Sequence, residues 1–281
     1  MVQSESVSDS VEGSVVPRPA ATVMLVRDGR TGIEVFLMKR SGFGMFGGLH
    51  VFPGGKVDGA DRAARWSAFA SGPDDSRASA ILGLSTGGLD YWVACIRECF
   101  EEAGVLLATD ASGDPLRLVA PDVRTRFDHW RDRLNAREPG LFEAMCGEEE
   151  LQLATDQLAY VSHWITPRDQ PTRFDTRFFV ARAPTEQIAL HDGHETVHSE
   201  WLRPELALER FAAGELNLIS PTENNLKALI GFSTTEDLLE TKRDVDPRSI
   251  PTIIPRLRRR NATEFEEVLE TVNYGGQSSC D

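Results

Sequence analysis

Cysteine is scarce in this 281-residue chain, and the four present, Cys95, Cys99, Cys146 and Cys280, form no CxxC pair. That pattern excludes the common zinc ribbons and gives no extracellular disulfide framework, so a reducing compartment is expected. No stretch approaches the ~18 apolar residues of a membrane span. The Ser-rich, acidic start "MVQSESVSDSVEGSVV" lacks the basic and apolar make-up of a secretory signal. Positive charge is also short, with 30 Lys and Arg against 44 Asp and Glu for a formal charge of −14. A broad basic surface for nucleic acid is excluded. The expectation is a cytoplasmic protein with no nucleic-acid and no membrane partner, whose phosphate-bearing ligands are held locally by a metal or a few arginines.

What is present reads as one sizeable globular unit, 41% hydrophobic, with no repeat at solenoid spacing. Residues 1–17 read as a disordered tail ending at Pro17 and Pro19. "AATVMLV" and "GIEVFLMKR" are apolar, β-branched runs separated by the Asp28-Gly29 turn signal, which predicts a strand pair. A glycine-dense loop follows and ends at Pro53-Gly54-Gly55. Residues 62–88, rich in Ala, Ser and Gly, read as an insertion of helical pieces and loop. From Leu89 the chain reads as a helix stopped by Gly104, with "VLLA" free to begin a strand. Residues 127–158 read as helices, "AYVSHWITP" and "RFDTRFFVARA" as strands, and "HSEWLRPELALERFAAGEL" as a strand turning into a helix at Pro204. Beyond residue 222 a helical extension and tail are expected.

The chemical signal lies in "RECFEEAGV". Glu98, Glu101 and Glu102 fall within roughly 100° of arc on one helix face, where like charges repel. A solvated charged face is the ordinary explanation of such a cluster. The alternative is a hard divalent cation among the carboxylates, Mg²⁺ or Mn²⁺, positioned for pyrophosphate chemistry. The flanking residues favour that alternative. Arg97, Glu98, Glu101, Glu102 and Gly104 stand in the order Arg-Glu, two residues, Glu-Glu, one residue, Gly, downstream of "FPGGKVDGAD".

On these residues the sequence resembles the Nudix hydrolase family, whose box is Gly, five residues, Glu, seven residues, then this helix signature. Here five residues separate Gly55 from Asp61, which stands in place of Glu, and 35 residues separate Asp61 from Arg97, an excess of 28. Such an insertion is similar to the branch containing the mammalian peroxisomal coenzyme A and acyl-coenzyme A diphosphatase. "SEWLRPELAL", "GELNLISPT" and "IPTIIPRLRR" are of the same type, so the resemblance spans about residues 20–260. The coenzyme A signature of related diphosphatases is partly met, by "LMKRS" and "GLHVFPGG", with a second arginine between those halves missing. The chain ends "SSCD" instead of in a Ser-Lys-Leu type signal, so the peroxisomal location is not carried over.

The resemblance implies an α/β/α sandwich with a mixed sheet, an insertion in the box and a helical C-terminal extension. The box domain would span 18–222. It implies metal held by Glu98, Glu101 and Glu102, with Arg97 orienting a glutamate and Gly54 and Gly55 admitting the backbone close to the site. Glu98, Glu101 and Glu195 are the candidate general bases. Arg40, Ser41 and Arg173 are candidate substrate contacts, an ordinary salt bridge being the alternative for either arginine. The implied reaction is metal-dependent cleavage of coenzyme A or an acyl derivative. NADH or ADP-ribose are the alternative substrates, a non-catalytic nucleotide-binding module is the alternative class, and a homodimer is left open.

Three further signals are weighed. "GFGMFG" fits GxGxxG but runs into an apolar segment, not a helix, and reads as a mobile loop near the substrate. His191, His194 and His198 read as loop histidines ahead of a zinc site. Cys95 and Cys99 read as small packing residues ahead of redox chemistry. "RLRRR" at 256–260 reads as pairing with the protein's own acidic surface ahead of a nucleic-acid patch.

Overall fold

The computed structural model describes residues 15–42, 47–62, 64–138, 140–259 and 265–272, with the side chains at 257–259 and 265 left aside. Most of the expected N-terminal tail and the Phe43–Phe46 stretch of the glycine-rich loop lie outside the described residues.

The strand pair forms as β1 (Arg18–Asp28) and β2 (Ile33–Arg40), antiparallel around Asp28 and Gly29. β3 (His50–Val51) and β4 (Gly54–Lys56) follow, then a 3₁₀ turn at Gly59–Arg62. The insertion folds into a second 3₁₀ turn, Ala64–Ala68, and α1 (Asp75–Leu82). The charged helix is α2 (Leu89–Ala103), which Gly104 terminates in the left-handed conformation at φ 67°. After it come β5 (Ala108–Thr109), α3 (Pro121–Asn135), α4 (Leu141–Glu148), β6 (Gln152–Leu153), β7 (Ala159–Ile165) and β8 (Phe174–Arg182). The chain closes with β9 (Thr196–Leu202), α5 (Pro204–Ala212), α6 (Ser220–Lys227), α7 (Thr235–Arg243), β10 (Thr252–Arg259) and β11 (Phe265–Val272).

The main sheet runs β11-β10-β7-β8-β1-β2-β3, with β4 on β1 and β9 on β2. It is mixed: β1 is parallel to β8 and β10 to β7, while the other pairs are antiparallel. Central strands bury both faces, and β1 does so by alternation. Ala21, Val23 and Leu25 pack under α2 with residues of α1, α3 and α4. Met24 and Val26 pack on the opposite face with Ala207, Leu226 and Leu238 from α5, α6 and α7. The result is the three-layer α/β/α sandwich that the sequence implies.

The strand expected from "VLLA" is short: Val105, Leu106 and Leu107 are buried, and β5 starts at Ala108 and pairs with β6 in a separate two-stranded sheet. One expectation needs correction. Beyond residue 222 the chain is helical in α7 but then forms β10 and β11. Pro255 hid this strand in the sequence, because proline has no backbone N–H to donate to a ladder. β10 meets β7 only at Thr252 and Ile253, so Pro255 lies where that edge carries no β7 partner.

The insertion is tied back onto α2. Asp75, the first residue of α1, accepts from the backbone N–H of Leu89 at 3.1 Å and Gly87 at 3.2 Å. It thus serves as a cap for α2, whose own N-cap Gly88 has no side chain to offer. Burial alone would raise the Asp75 pKa, but these N–H donors and the Thr86 hydroxyl hold it below its ordinary value. Gly88 is required by close approach, since a Cβ there would lie 2.1 Å from the Ser79 backbone nitrogen. Replacing Asp75 by Ala is expected to lower unfolding stability by about 1 kcal/mol, with both core clusters intact. Urea denaturation of the two proteins measures this, and an unchanged midpoint would remove Asp75 from that role.

Candidate active site

Arg97 is the centre of the site. Its side chain is 8% exposed and its guanidinium is fully engaged. Nε and Nη2 donate to the two oxygens of Asp61 at 2.9 and 3.0 Å, a bidentate pair between side chains that are both buried. Nη2 also donates to the Lys56 carbonyl at 2.9 Å, while Nη1 lies 2.9 Å from Glu98 and 3.0 Å from Glu101. Asp61 is itself fixed by the Asp58 backbone N–H at 2.7 Å. The Asp that replaces the family Glu therefore reaches the arginine directly, and 35 intervening residues do not disturb it.

Gly54 and Gly55 bring β4 against α2. The Gly54 N–H donates to Glu102 at 2.9 Å, and a Cβ on Gly54 would lie 2.5 Å from the Ala21 carbonyl oxygen. A Cβ on Gly55 would lie 2.4 Å from the Glu98 carboxyl carbon. Close approach to backbone demands glycine at Gly54, whereas at Gly55 a side chain would displace the Glu98 carboxylate. At the C-terminal end of α2, Arg131 of α3 donates to the carbonyls of Glu101 and Glu102 at 2.9 and 2.8 Å. A cation there offsets the negative end of the helix dipole, to which the glutamates add.

The three glutamates line one cleft of 460 Å³, together with Thr22 and Lys56, the Arg40 and Glu195 side chains, and the α3–α4 corner. Burial raises the Glu98 pKa to about 7 against the pull of Arg97, with Glu101 adding to the rise. Burial likewise raises Glu101, and it raises Glu102 well above its ordinary range with help from Glu98. Among the described residues no three His, Cys, Asp or Glu side chains converge as a ready-made metal cage. The donor chemistry nonetheless fits a hard divalent cation. Mg²⁺ needs only one or two carboxylates and takes its other ligands from water and phosphate. These carboxylates are exclusively oxygen donors whose ionised forms lack sufficient positive partners.

The remaining expected residues divide. Arg40 lies 3.2 Å from Glu195 and 3.7 Å from Glu102, inside the cleft. Glu195 is held between Arg40 and Arg137. Ser41 is not among the cleft-lining residues; its N–H donates to the Glu195 carbonyl at 2.8 Å, so it positions the loop. Arg173 is buried, is not among the cleft-lining residues, and donates to the carbonyls of Thr166, in the β7–β8 turn, and Val15, ahead of β1, at 3.0 and 2.7 Å. The His191 ring contacts Ser199 at 2.9 Å, and none of His191, His194 and His198 lines the cleft. Cys95 and Cys99 are buried with thiol pKa values pushed up by burial, as packing residues. Arg256 pairs with Glu270 at 2.8 Å. Arg131 and Arg137 carried no sequence signal, because their partners lie about 30 and 60 residues away along the chain.

The NUDT19 Nudix domain profile matches residues 71–229, more than half of the chain. The chain belongs to this family, within the Nudix hydrolases. It is 30% identical over 237 residues to human acyl-coenzyme A diphosphatase NUDT19, covering 74% of this chain and 63% of that protein. The chicken protein of the same name is 30% identical over 239 residues, covering 73% and 62%. The chain thus spans less than two thirds of the length of these relatives. Among solved structures, a Nudix hydrolase from Alicyclobacillus acidocaldarius superposes with a TM-score of 0.66 at 27% identity, covering 80% of this chain and 96% of that one. The expected fold class is therefore the one adopted. No helix among the described residues is long and apolar enough to cross a membrane.

The raised carboxylate pKa values make a stability prediction. An unfolded Glu releases its proton near pH 4.3, whereas folded Glu102 retains it to higher pH, so the metal-free fold loses stability as pH rises between those values. Glu102→Gln keeps an acceptor for the Gly54 N–H without the charge. In EDTA it is expected to raise Tm by roughly 2–5 °C at pH 8 and to change it little at pH 5. A variant destabilised at pH 8 would mean that the charge is already compensated.

Proposed function

We propose that this chain hydrolyses the pyrophosphate bond of a nucleoside diphosphate linked to another group, with Mg²⁺ or Mn²⁺, and that its substrate is coenzyme A or an acyl-coenzyme A. The observation that carries the reading is that Glu98, Glu101 and Glu102 all line one cleft, two of them on an Arg97 that is otherwise committed to Asp61 and the Lys56 carbonyl. The substrate branch rests on the likeness to the acyl-coenzyme A diphosphatases. Residence in the cytoplasm, the domain span 18–222 and a homodimer remain part of the proposal, each resting on the sequence alone.

Glu98, Glu101 and Glu102 are the residues that would hold the cation. When bound, a divalent ion supplies charge neutralisation for the pyrophosphate and lowers the pKa of a water nucleophile. The chain's own residues do the rest. Arg97, fixed by Asp61, sets the orientation of Glu98 and Glu101 through Nη1. Glu98, which lies in the cleft wall against Arg97, is the group that would take a proton from the attacking water. Glu195 is the weaker base candidate, since two arginines claim its carboxylate. Arg40 and Lys56 face the cleft as cations for the substrate phosphates. The water oxygen bonds to one phosphorus and the bridging P–O bond breaks, giving adenosine 3′,5′-bisphosphate and (acyl-)phosphopantetheine from the preferred substrate.

The test is mass spectrometry of products from coenzyme A, acetyl-coenzyme A, NADH and ADP-ribose, for wild type and Glu101→Gln with each metal. Phosphopantetheine products, about 100-fold slower in the variant and abolished by EDTA, are expected. Turnover of NADH or ADP-ribose alone would sink the coenzyme A branch, and binding without metal-dependent turnover would favour a non-catalytic module. Gly55→Ala forces Glu98 out of place and is expected to cost about 100-fold in turnover; wild-type rates in that variant would remove Glu98 from the reaction.

A further inference from the structure

Between Val57 and Phe69 the chain runs over the surface. Among the described residues from 58 to 68, the only buried side chains are Asp61 and Trp66, each 1% exposed. They belong to consecutive 3₁₀ turns, Gly59–Arg62 and Ala64–Ala68, and the indole joins the two turns: Trp66 Nε1 donates to the Ala60 carbonyl at 2.8 Å, one peptide ahead of Asp61. The indole is firmly seated. Its ring packs on Phe69 and Phe142 with centroids 5.7 and 5.4 Å away, within the apolar cluster that also holds the buried face of α2.

Asp61 needs such a support. An aspartate carries its carboxylate on a single methylene, so it meets the Arg97 fork with two bonds, at 2.9 and 3.0 Å, only where its backbone is brought close. The bonds within its own turn are local: the Asp58 N–H donates to the Asp61 carboxylate at 2.7 Å, and the Asp61 N–H to the Asp58 carbonyl at 3.2 Å. They shape the turn without setting its distance from α2. Asp58, Gly59 and Ala60 are exposed and add no packing of their own. The Trp66 bond differs, because its donor is fixed in the core on which α2 rests. Arg97 passes the constraint on through Nη1, 2.9 Å from Glu98 and 3.0 Å from Glu101.

We propose that Trp66 is a positioning residue for the hydrolytic reaction: by holding the Ala60 carbonyl it sets Asp61 against Arg97, and through Arg97 it orients Glu98 and Glu101. The inference rests on the pyrophosphatase reading of the cleft and deepens it. The insertion thereby supplies a support for the carboxylate from which it departs.

The first readout needs neither metal nor substrate. In EDTA, the Arg97 Nε–H of the full chain is followed by ¹⁵N-resolved NMR, assigned by its loss in Arg97→Lys, and its exchange with solvent is slow while Asp61 holds it. Trp66→Phe keeps an aromatic ring against Phe69 and Phe142 and removes the donor; it is expected to speed that exchange about fivefold. Phe69→Leu disturbs the same packing and leaves the indole bond in place, so it should lower Tm without changing the exchange. In turnover of the diphosphate substrate, Trp66→Phe should lose about fivefold in kcat with KM changed less than about twofold, because carboxylate orientation and not substrate contact is altered. Asp61→Glu, too long for the pinned turn, should be slow alone and faster when combined with Trp66→Phe, which lets the turn withdraw. Unchanged Arg97 exchange in Trp66→Phe, equal loosening in Phe69→Leu, a rise in KM alone, or losses that simply add in the double variant overturn the proposal. If the exchange responds as expected and wild type hydrolyses no diphosphate, Trp66 stands as the support of Asp61 and Arg97, and only the pyrophosphatase reading falls.

Discussion

The bidentate contact between Arg97 and Asp61 holds the site together. Both charges are buried, and a buried charge left unpaired costs a fold several kcal/mol, so neither side chain is free to leave the other. The contact ties the Gly54–Asp61 turn to α2 and leaves Nη1 to orient Glu98 and Glu101. It also explains how a long insertion is accommodated. The excursion from Asp61 to Arg97 is closed at its start by this ion pair and at its end by Asp75 on the first turn of α2. Loop entropy grows only slowly with length, so two fixed ends suffice.

Everything else about α2 follows from concentrating negative charge at its C-terminal half. The helix dipole is unfavourable there, the glutamates repel one another, and burial raises all three. Arg131 compensates the carbonyls and Arg97 two of the carboxylates, while Glu102 keeps the Gly54 N–H and a distant Arg40. When ionised, the three carboxylates have only Arg97 and the more distant Arg40 as cationic side-chain partners within the cleft wall. The stability of the scaffold is supplied elsewhere, by the two apolar clusters on either face of the sheet.

The outer wall of the cleft has a different origin. Trp66 from the insertion packs on Phe142 of α4 with ring centroids 5.4 Å apart, and both help to line the cleft beside Arg137 and Leu141. The insertion therefore does more than lengthen a loop, since it supports the corner that faces the glutamates. The cleft is built from α2 and the Gly-Gly turn together with α3, α4 and the Glu195 loop.

The sequence by itself determined what is local. The strand pair around Asp28-Gly29, the extent of α2 from Leu89 to its Gly104 stop, and the facing of three carboxylates all follow from periodicity and turn chemistry within a few residues. Contacts between distant segments were decided only by the tertiary structure. Pro255 concealed β10, because its missing N–H is harmless only where the neighbouring strand has ended. Arg173 reads in sequence as a ligand contact, and the fold sets it against the carbonyls of Thr166 in the β7–β8 turn and of Val15 ahead of β1. Arg131 and Arg137 gave no sign of their positions, since an arginine in a charged helix or turn looks alike whether it faces solvent, a helix end or a cleft. The type of charge is written locally, but its partner is chosen by packing across the chain.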